Sequence, residues 1–326
     1  MVRTIRVREP GGVDVLESAT VELGQPAEGE VVLRQTAIGV NLIDTYHRTA
    51  TAGQYAIARP AVLGVEAAGV IEALGPGVTQ FKVGDRAAYW MVIGAYAEKR
   101  IIPAAKLVKL PDFVSDETAA AGLLKGVTAQ YLLHRIYPVK DGDTVLVHAA
   151  AGGVGQLLCQ WARHLGATVI GSVGSAAKKQ AAADAGCHHV IVHDGGDFSS
   201  QVKELNGGQG VDVVYDSIGR ETFAASLNCL RPLGMMVSFG QASGAIPPID
   251  ISVLAQKGSV FLAKPTLATF SRERSDIESL AQGFFEAIGS GAIRIDVKHR
   301  ARLEEVGAMH SALEARQTTG PIVLTP

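Results

Sequence analysis

Cysteine is scarce: Cys159, Cys187 and Cys229 are the three in a chain of 326 residues. They are odd in number and too far apart for a disulfide framework or a C-x-x-C metal site, which leaves free thiols in a reducing, cytoplasmic compartment. Excess charge is missing too. With 30 basic and 32 acidic side chains the net charge is −2, and there is no basic arm or acidic tail, so the electrostatic footprint of a nucleic-acid binder is absent. Residues 1–12 alternate charged and apolar groups, so no signal peptide is expected. Nor is there a convincing membrane-spanning run. Residues 144–162 form 19 positions without formal charge, but they include Gly152, Gly153 and Gly155 along with His148, Gln156 and Gln160. That pattern reads as strand, glycine turn and helix start, so no membrane partner is expected and the protein should be soluble.

What the chain does have is length for about two domains and 37 glycines, above the usual ~7%. The first third reads as β-rich, with short β-branched or alternating runs at 30–38, 67–74 and 84–89 divided by Gly/Pro turns. After Pro111, Asp116 and Glu117 open an Ala/Leu-rich helical stretch through Leu133. From Asp143 apolar runs at 144–149, 168–173, 189–192, 211–217, 234–240 and 259–264 alternate with helical stretches at 154–165, 176–185, 197–205 and 220–230. This is the rhythm of an α/β fold with a doubly wound parallel sheet. Helices follow at 271–289 and about 302–315. The apolar tail Ile322-Val323-Leu324 has no partner in the α/β unit and is expected to return to the first domain, making that domain discontinuous.

The strongest local signal is His148-Ala-Ala-Ala-Gly-Gly-Val-Gly155, between an apolar strand and a helix. Aligned with G-x-G-x-x-G, Ala150 takes the first place, Gly152 the second and Gly155 the third. Gly152 allows a pyrophosphate to approach the backbone, Gly155 allows helix and strand to pack closely, and the helix start favours the anion. At the end of the next strand a dinucleotide-binding fold that prefers NAD places a carboxylate for the ribose hydroxyls. Here the chain has Gly171-Ser-Val-Gly-Ser175 and then Lys178-Lys179, which leaves room for a 2′-phosphate and supplies a cation. The cofactor expected is NADPH; the alternative is that the two lysines form a solvated helix face.

Several segments together resemble the zinc-free quinone oxidoreductase branch of the medium-chain dehydrogenase/reductase family. They are Gly39-Val-Asn-Leu-Ile-Asp-Thr-Tyr-His-Arg48, Gly64-Val-Glu-Ala-Ala-Gly69, Leu124-Lys-Gly-Val-Thr-Ala-Gln-Tyr131, the glycine turn, Val214-Tyr-Asp-Ser217, Val237-Ser-Phe-Gly240 and Glu314-Ala-Arg-Gln-Thr-Thr-Gly320. The resemblance covers the whole chain. It implies a Rossmann doubly wound parallel sheet over 125–267 that binds NADPH, and a GroES-like β-rich substrate domain from 1–124 and 268–326. Cofactor contacts are expected from Asn41, Thr128, Tyr131, Gly152, Gly153, Val154, Gly174, Ser175, Lys178, His193, Ser217, Phe239, Gly240, Lys264 and Arg316. His193 stands where close relatives often have a tyrosine. Zinc-dependent relatives carry a histidine before the glutamate of Gly64-Val65-Glu66, and a cysteine cluster in the first domain; here the first is Val65 and the second is missing. No metal is therefore expected.

The remaining chemistry agrees with a cofactor-driven reaction. His189 and His193 would share a strand face but sit roughly 13 Å apart at ~3.3 Å per residue, too far to chelate one ion. Asp44 and Glu66 are expected to orient backbone and loop. Asn41, Tyr46 and Tyr55 are the candidate catalytic residues, supplying hydrogen bonds and stacking to a quinone or another electron-poor conjugated carbonyl. The loop from Arg48 to Pro60 is slightly longer than usual in the family, and Tyr55 is matched to its second active-site tyrosine. Without zinc to polarise a carbonyl, simple alcohol oxidation is disfavoured. Reduction of quinones, reduction of activated C=C bonds in enones or alkenals, and a non-catalytic NADPH-binding structural or RNA-binding role, as in crystallin-type relatives, remain as readings. The last strand would lie at a sheet edge and is expected to pair in a homodimer.

Overall fold

A computed structural model describes residues 1–193 and 196–326. In chain order, the elements before the glycine turn are β1 (Val2–Val7), β2 (Glu17–Val21), β3 (Glu30–Val40), α1 (Leu42–Thr49), β4 (Ala61–Val62), β5 (Glu66–Leu74), β6 (Arg86–Trp90), β7 (Lys99–Pro103), β8 (Val108–Lys109) and α2 (Asp116–Tyr131). Strands and helices then alternate as β9 (Thr144–Val147), α3 (Gly153–His164), β10 (Thr168–Val173), α4 (Lys179–Asp184), β11 (His189–Val192), α5 (Ser199–Leu205), β12 (Val211–Asp216), α6 (Phe223–Cys229) and β13 (Leu230–Ser238). The remainder is α7 (Ser252–Gln256), β14 (Phe261–Ala263), α8 (Leu267–Phe270), α9 (Arg274–Gly289), β15 (His299–Arg302), α10 (Val306–Glu314) and β16 (Ile322–Thr325).

Two compact units result: Met1–Val127 with Arg272–Phe285 and Ile295–Pro326, and Thr128–Ser271 with Glu286–Arg294. In the first, a sheet runs in the order β15-β16-β3-β5-β6-β8, with β7 also paired to β3, beside a smaller sheet β2-β1-β4. The apolar tail joins this sheet. Within β16, Ile322 pairs antiparallel with Val40 and Leu324 with Ile38 of β3, and both side chains enter the core formed by Leu33, Ile38, Ile71 and Tyr89.

The second unit is built on a six-stranded parallel sheet, β11-β10-β9-β12-β13-β14. Chain order reverses at β9, which sits between β10 and β12. Such a switch point opens a crevice at the carboxyl ends of the strands, where ligands bind in doubly wound folds. All four residues of β9 are buried, as expected for a central strand covered on both faces. The core of this unit holds Leu146, Ile170, Val214 and Met236 against Phe223 and Leu227 of α6 and Phe198, which caps α5. Among the described residues, no helix is long and apolar enough to cross a membrane.

Several elements are shorter or more broken than the sequence pattern predicts. The stretch 176–185 is a 3-10 turn, Ala176–Lys178, followed by α4. α6 starts at Phe223 because Gly219 takes a left-handed backbone (φ +91°) and the Asp216 carboxylate holds the N–H groups of Ile218 and Gly219. The last strand spans only Phe261–Ala263, since Ser259 is left-handed (φ +56°). The region 271–289 opens with a non-helical turn at 271–273 and is helical from Arg274 as α9, and α10 is preceded by the 3-10 turn Leu303–Glu305.

Candidate functional site

In the first unit the site residues gather where β3 passes into α1. Gly39 is needed there for close approach: a Cβ would lie 2.2 Å from the Ala120 carbonyl oxygen and 2.6 Å from Glu66 Oε2. Asn41 is the N-cap of α1, and Asp44 Oδ2 reaches back to accept the Asn41 backbone N–H at 2.8 Å. The Asn41 side chain also reaches partners outside α1. Its Nδ2 donates to Glu66 Oε2 at 2.8 Å, and its Oδ1 accepts from Lys125 Nζ at 2.7 Å. Glu66 is fully buried and also accepts the Leu124 N–H, at 2.5 Å. Burial pushes its carboxyl above the usual range, while Lys125, the Leu124 N–H and Asn41 pull it back.

Tyr46 on α1 and Tyr55 in the 3-10 turn Gly53–Tyr55 come together, with ring centroids 5.0 Å apart and planes tilted by 48°. The loop between them is tied down at both ends. His47 Nδ1 meets the Tyr55 carbonyl oxygen at 2.8 Å, and Arg59 Nη2 donates to the carbonyl oxygens of His47 and Ala50 at 2.8 and 3.1 Å. Burial pushes the Tyr46 phenol up to about 12 and raises that of Tyr55. Both are O–H donors at neutral pH.

Beneath this surface runs a buried polar file that the sequence does not announce. Arg48 Nη1 lies 2.9 Å from His310 Nδ1, His310 Nε2 lies 2.9 Å from the Tyr96 hydroxyl, and Tyr96 Oη lies 2.9 Å from Asp44 Oδ2. Arginine only donates, so His310 Nδ1 accepts, Nε2 carries the proton and donates to Tyr96, and Tyr96 donates to Asp44. Burial, with the Arg48 charge adding to it, lowers His310 to about 3, and burial raises Asp44 to about 7. Arg316 lies in the left-handed turn just past α10, with φ +56°.

In the second unit the candidate cofactor residues cluster at the carboxyl ends of the strands. Gly152 is the N-cap of α3, in extended conformation, so Gly153 and Val154 present the first turn of that helix. Gly155 packs on the turn: a Cβ would lie 2.2 Å from the Ala149 carbonyl oxygen. At the end of β10, Gly174 faces open space and Ser175 precedes the turn that ends at Lys178. At the ends of β12, β13 and β14, the Phe239 N–H donates to the Asp216 carbonyl at 2.9 Å. Gly240 packs on Ser217, and Lys264 Nζ donates to Ser238 Oγ and the Gly240 carbonyl, each at 3.3 Å. The His193 ring lies 5.9 Å from that of His148 and 5.2 Å from that of Phe198. Thr128 sits on α2 one turn before Tyr131, whose ring stacks on Phe270 at 4.5 Å.

This cradle fits a dinucleotide. Gly152 caps the N-terminus of α3, and a Cβ at Gly174 would meet open space four residues before Lys178. In the sequence His148 marks only the start of the glycine turn. It is buried between Ser172 Oγ (2.6 Å) and Ser226 Oγ (2.8 Å), and burial lowers it to about 4, so it holds the turn as a neutral ring. Among the described residues no three His, Cys, Asp or Glu side chains are grouped as metal ligands.

Comparison with known proteins gives two domain matches: an alcohol dehydrogenase GroES-like domain over 27–112 and a zinc-binding dehydrogenase domain over 153–281. A 2-haloacrylate reductase from a Burkholderia species is 46% identical over 100% of this chain and 99% of its own length. A quinone oxidoreductase of Pseudomonas aeruginosa is 43% identical over 100% of both chains. The crystal structure of the Escherichia coli quinone oxidoreductase complexed with NADPH superposes with a TM-score of 0.95 at 41% identity, covering 100% of both chains.

Proposed function

The chain belongs to the quinone oxidoreductase branch of the medium-chain dehydrogenase/reductase family, and we propose that it is a zinc-independent NADPH:quinone oxidoreductase. The observation that carries this reading is the end-to-end identity, 43% over the whole of both chains, with a relative named for that activity. NADPH, when bound, supplies a hydride, and with one proton from solvent the quinone leaves as hydroquinone.

The protein's own groups bind and orient. The N-terminus of α3 at Gly152, Gly153 and Val154 takes the pyrophosphate. Ser175, Lys178 and His193 meet the 2′-phosphate end, and Arg316 is a further cofactor contact. Ser217, Phe239, Gly240, Lys264, Thr128 and Tyr131 line the rest of the cofactor's path. The tilted pair Tyr46 and Tyr55 offers aromatic surface for a planar ring and two phenolic donors for its carbonyl oxygens. Asn41 offers its carboxamide N–H to the same chemistry.

A second reading has a specific observation behind it: the 46% identity to a 2-haloacrylate reductase favours reduction of an activated C=C bond. A panel of quinones, enones and haloacrylates with NADPH decides. Quinone turnover supports the first reading, and turnover confined to the C=C substrates replaces it with the second. The same proposal includes a cytoplasmic homodimer. The edge strand β14 exposes Phe261 and Leu262 (55% and 38%), an apolar edge of the kind that proteins cover by pairing.

A further inference from the structure

The helix α2 carries a run over 119–127, Ala-Ala-Ala-Gly-Leu-Leu-Lys-Gly-Val, that is apolar but for Lys125, whose side chain is buried. Lys125 retains 6% of its surface exposure. Its Nζ lies 2.7 Å from Asn41 Oδ1 and 3.5 Å from Glu66 Oε2, and Asn41 Nδ2 donates to that same carboxylate oxygen at 2.8 Å. Residues from the β3–α1 junction, the start of β5 and α2 close a triangle.

An ammonium donates and never accepts, whereas an ionised carboxylate accepts and never donates. Set at the two ends of a carboxamide, they permit one orientation: oxygen toward Lys125, nitrogen toward Glu66. Turning the amide over would bring N–H against N–H at one end and oxygen against oxygen at the other. Glu66 takes one Nδ2 hydrogen, so the amide keeps its second N–H, held in one direction, for a ligand. Stability alone does not call for this lysine. Replacing a buried ion pair by apolar groups is often neutral or stabilising, and the surrounding run is already Ala and Leu.

We propose that Lys125 is a positioning residue for the reduction: it fixes the Asn41 carboxamide so that the remaining Nδ2–H meets the carbonyl oxygen of the acceptor. This rests on the reading of Asn41 as a residue of the reaction site. The ammonium acts through Asn41, on an oxygen that gains negative charge as hydride arrives, where an oriented donor is most effective.

The test compares Lys125→Met with the double variant Lys125→Met/Glu66→Gln. The single variant strands a buried carboxylate and loses stability; the double variant removes both charges and regains it. Losing a charge-assisted orientation is expected to lower kcat for the acceptor about 10- to 150-fold, in both variants. Recovery of kcat together with thermal stability in the double variant overturns the proposal, because the pair is then only structural. A second readout needs no turnover. The Asn41 side-chain amide signal in 15N NMR, identified by its loss in Asn41→Asp, should be protected from exchange in the wild type and lose that protection in both variants. Retained protection overturns the proposal even if the wild type reduces no quinone, an outcome that would sink the functional reading by itself.

Discussion

The imidazole Nε2 of His310 lies 2.9 Å from the hydroxyl oxygen of Tyr96, in the middle of a buried file that begins at Arg48 and ends at Asp44. Its two titratable ends pull stability in opposite directions with pH. Folded His310 is lowered to about 3 from 6.5, so below pH 6.5 the unfolded chain binds the extra proton and stability falls as pH falls. Folded Asp44 is raised to about 7 from 3.8, so between those values the native state binds the extra proton and stability falls as pH rises. Each slope is at most ~1.4 kcal/mol per pH unit. Urea unfolding from pH 7 to pH 5 should therefore show His310→Gln gaining stability toward acid relative to wild type, and Asp44→Asn losing it. Parallel curves for all three proteins would remove this account of the file.

Lys178 follows Ser175 by one turn, with its backbone N–H donating to the Ser175 carbonyl at 3.1 Å. If its ammonium meets the 2′-phosphate, the charge-assisted bond contributes roughly 1.5–3 kcal/mol. Lys178→Ala should then weaken NADPH about 10- to 150-fold and leave NADH nearly unchanged. The measurement is the ratio of kcat/KM for the two cofactors at fixed ionic strength, because salt screens such contacts. Equal losses for both cofactors would make Lys178 structural.

Much of this fold is legible in the sequence. The six apolar runs became the six strands of the parallel sheet; the inner strands β9, β10 and β12 are covered on both faces and so are apolar along their length. The isolated tail at 322–324 pairs with β3, as its lack of a local partner implied. The triangle of Asn41, Glu66 and Lys125 is not visible as a unit in the sequence, because its members lie 25 to 84 residues apart and meet only through the fold. One signal was available: a lysine in an Ala/Leu run, where burial demands a partner. The file from Arg48 to His310 spans 262 residues and had no local signal at all.

Val65 is 2% exposed and aliphatic, at the position where zinc-dependent relatives carry a ligating histidine. Exhaustive chelation followed by activity assay should leave turnover intact, with substoichiometric metal by elemental analysis. Loss of activity that added zinc restores would contradict zinc independence.

Phe261 on the edge strand β14 is more than half exposed. Sedimentation should give twice the 34.1 kDa chain mass, and Phe261→Lys should shift the protein toward monomer with its thermal stability as a folded chain retained. A wild-type mass near 34.1 kDa at every concentration would refute the dimer.

The central claim is hydride transfer from NADPH to a quinone. It is tested most directly with NADPH deuterated at the transferred position, mixed anaerobically with enzyme and para-benzoquinone. The account predicts one hydroquinone and one NADP⁺ for each NADPH consumed, with the deuterated cofactor reacting more slowly than the protiated one. Tight NADPH binding with no oxidation by any quinone would contradict it.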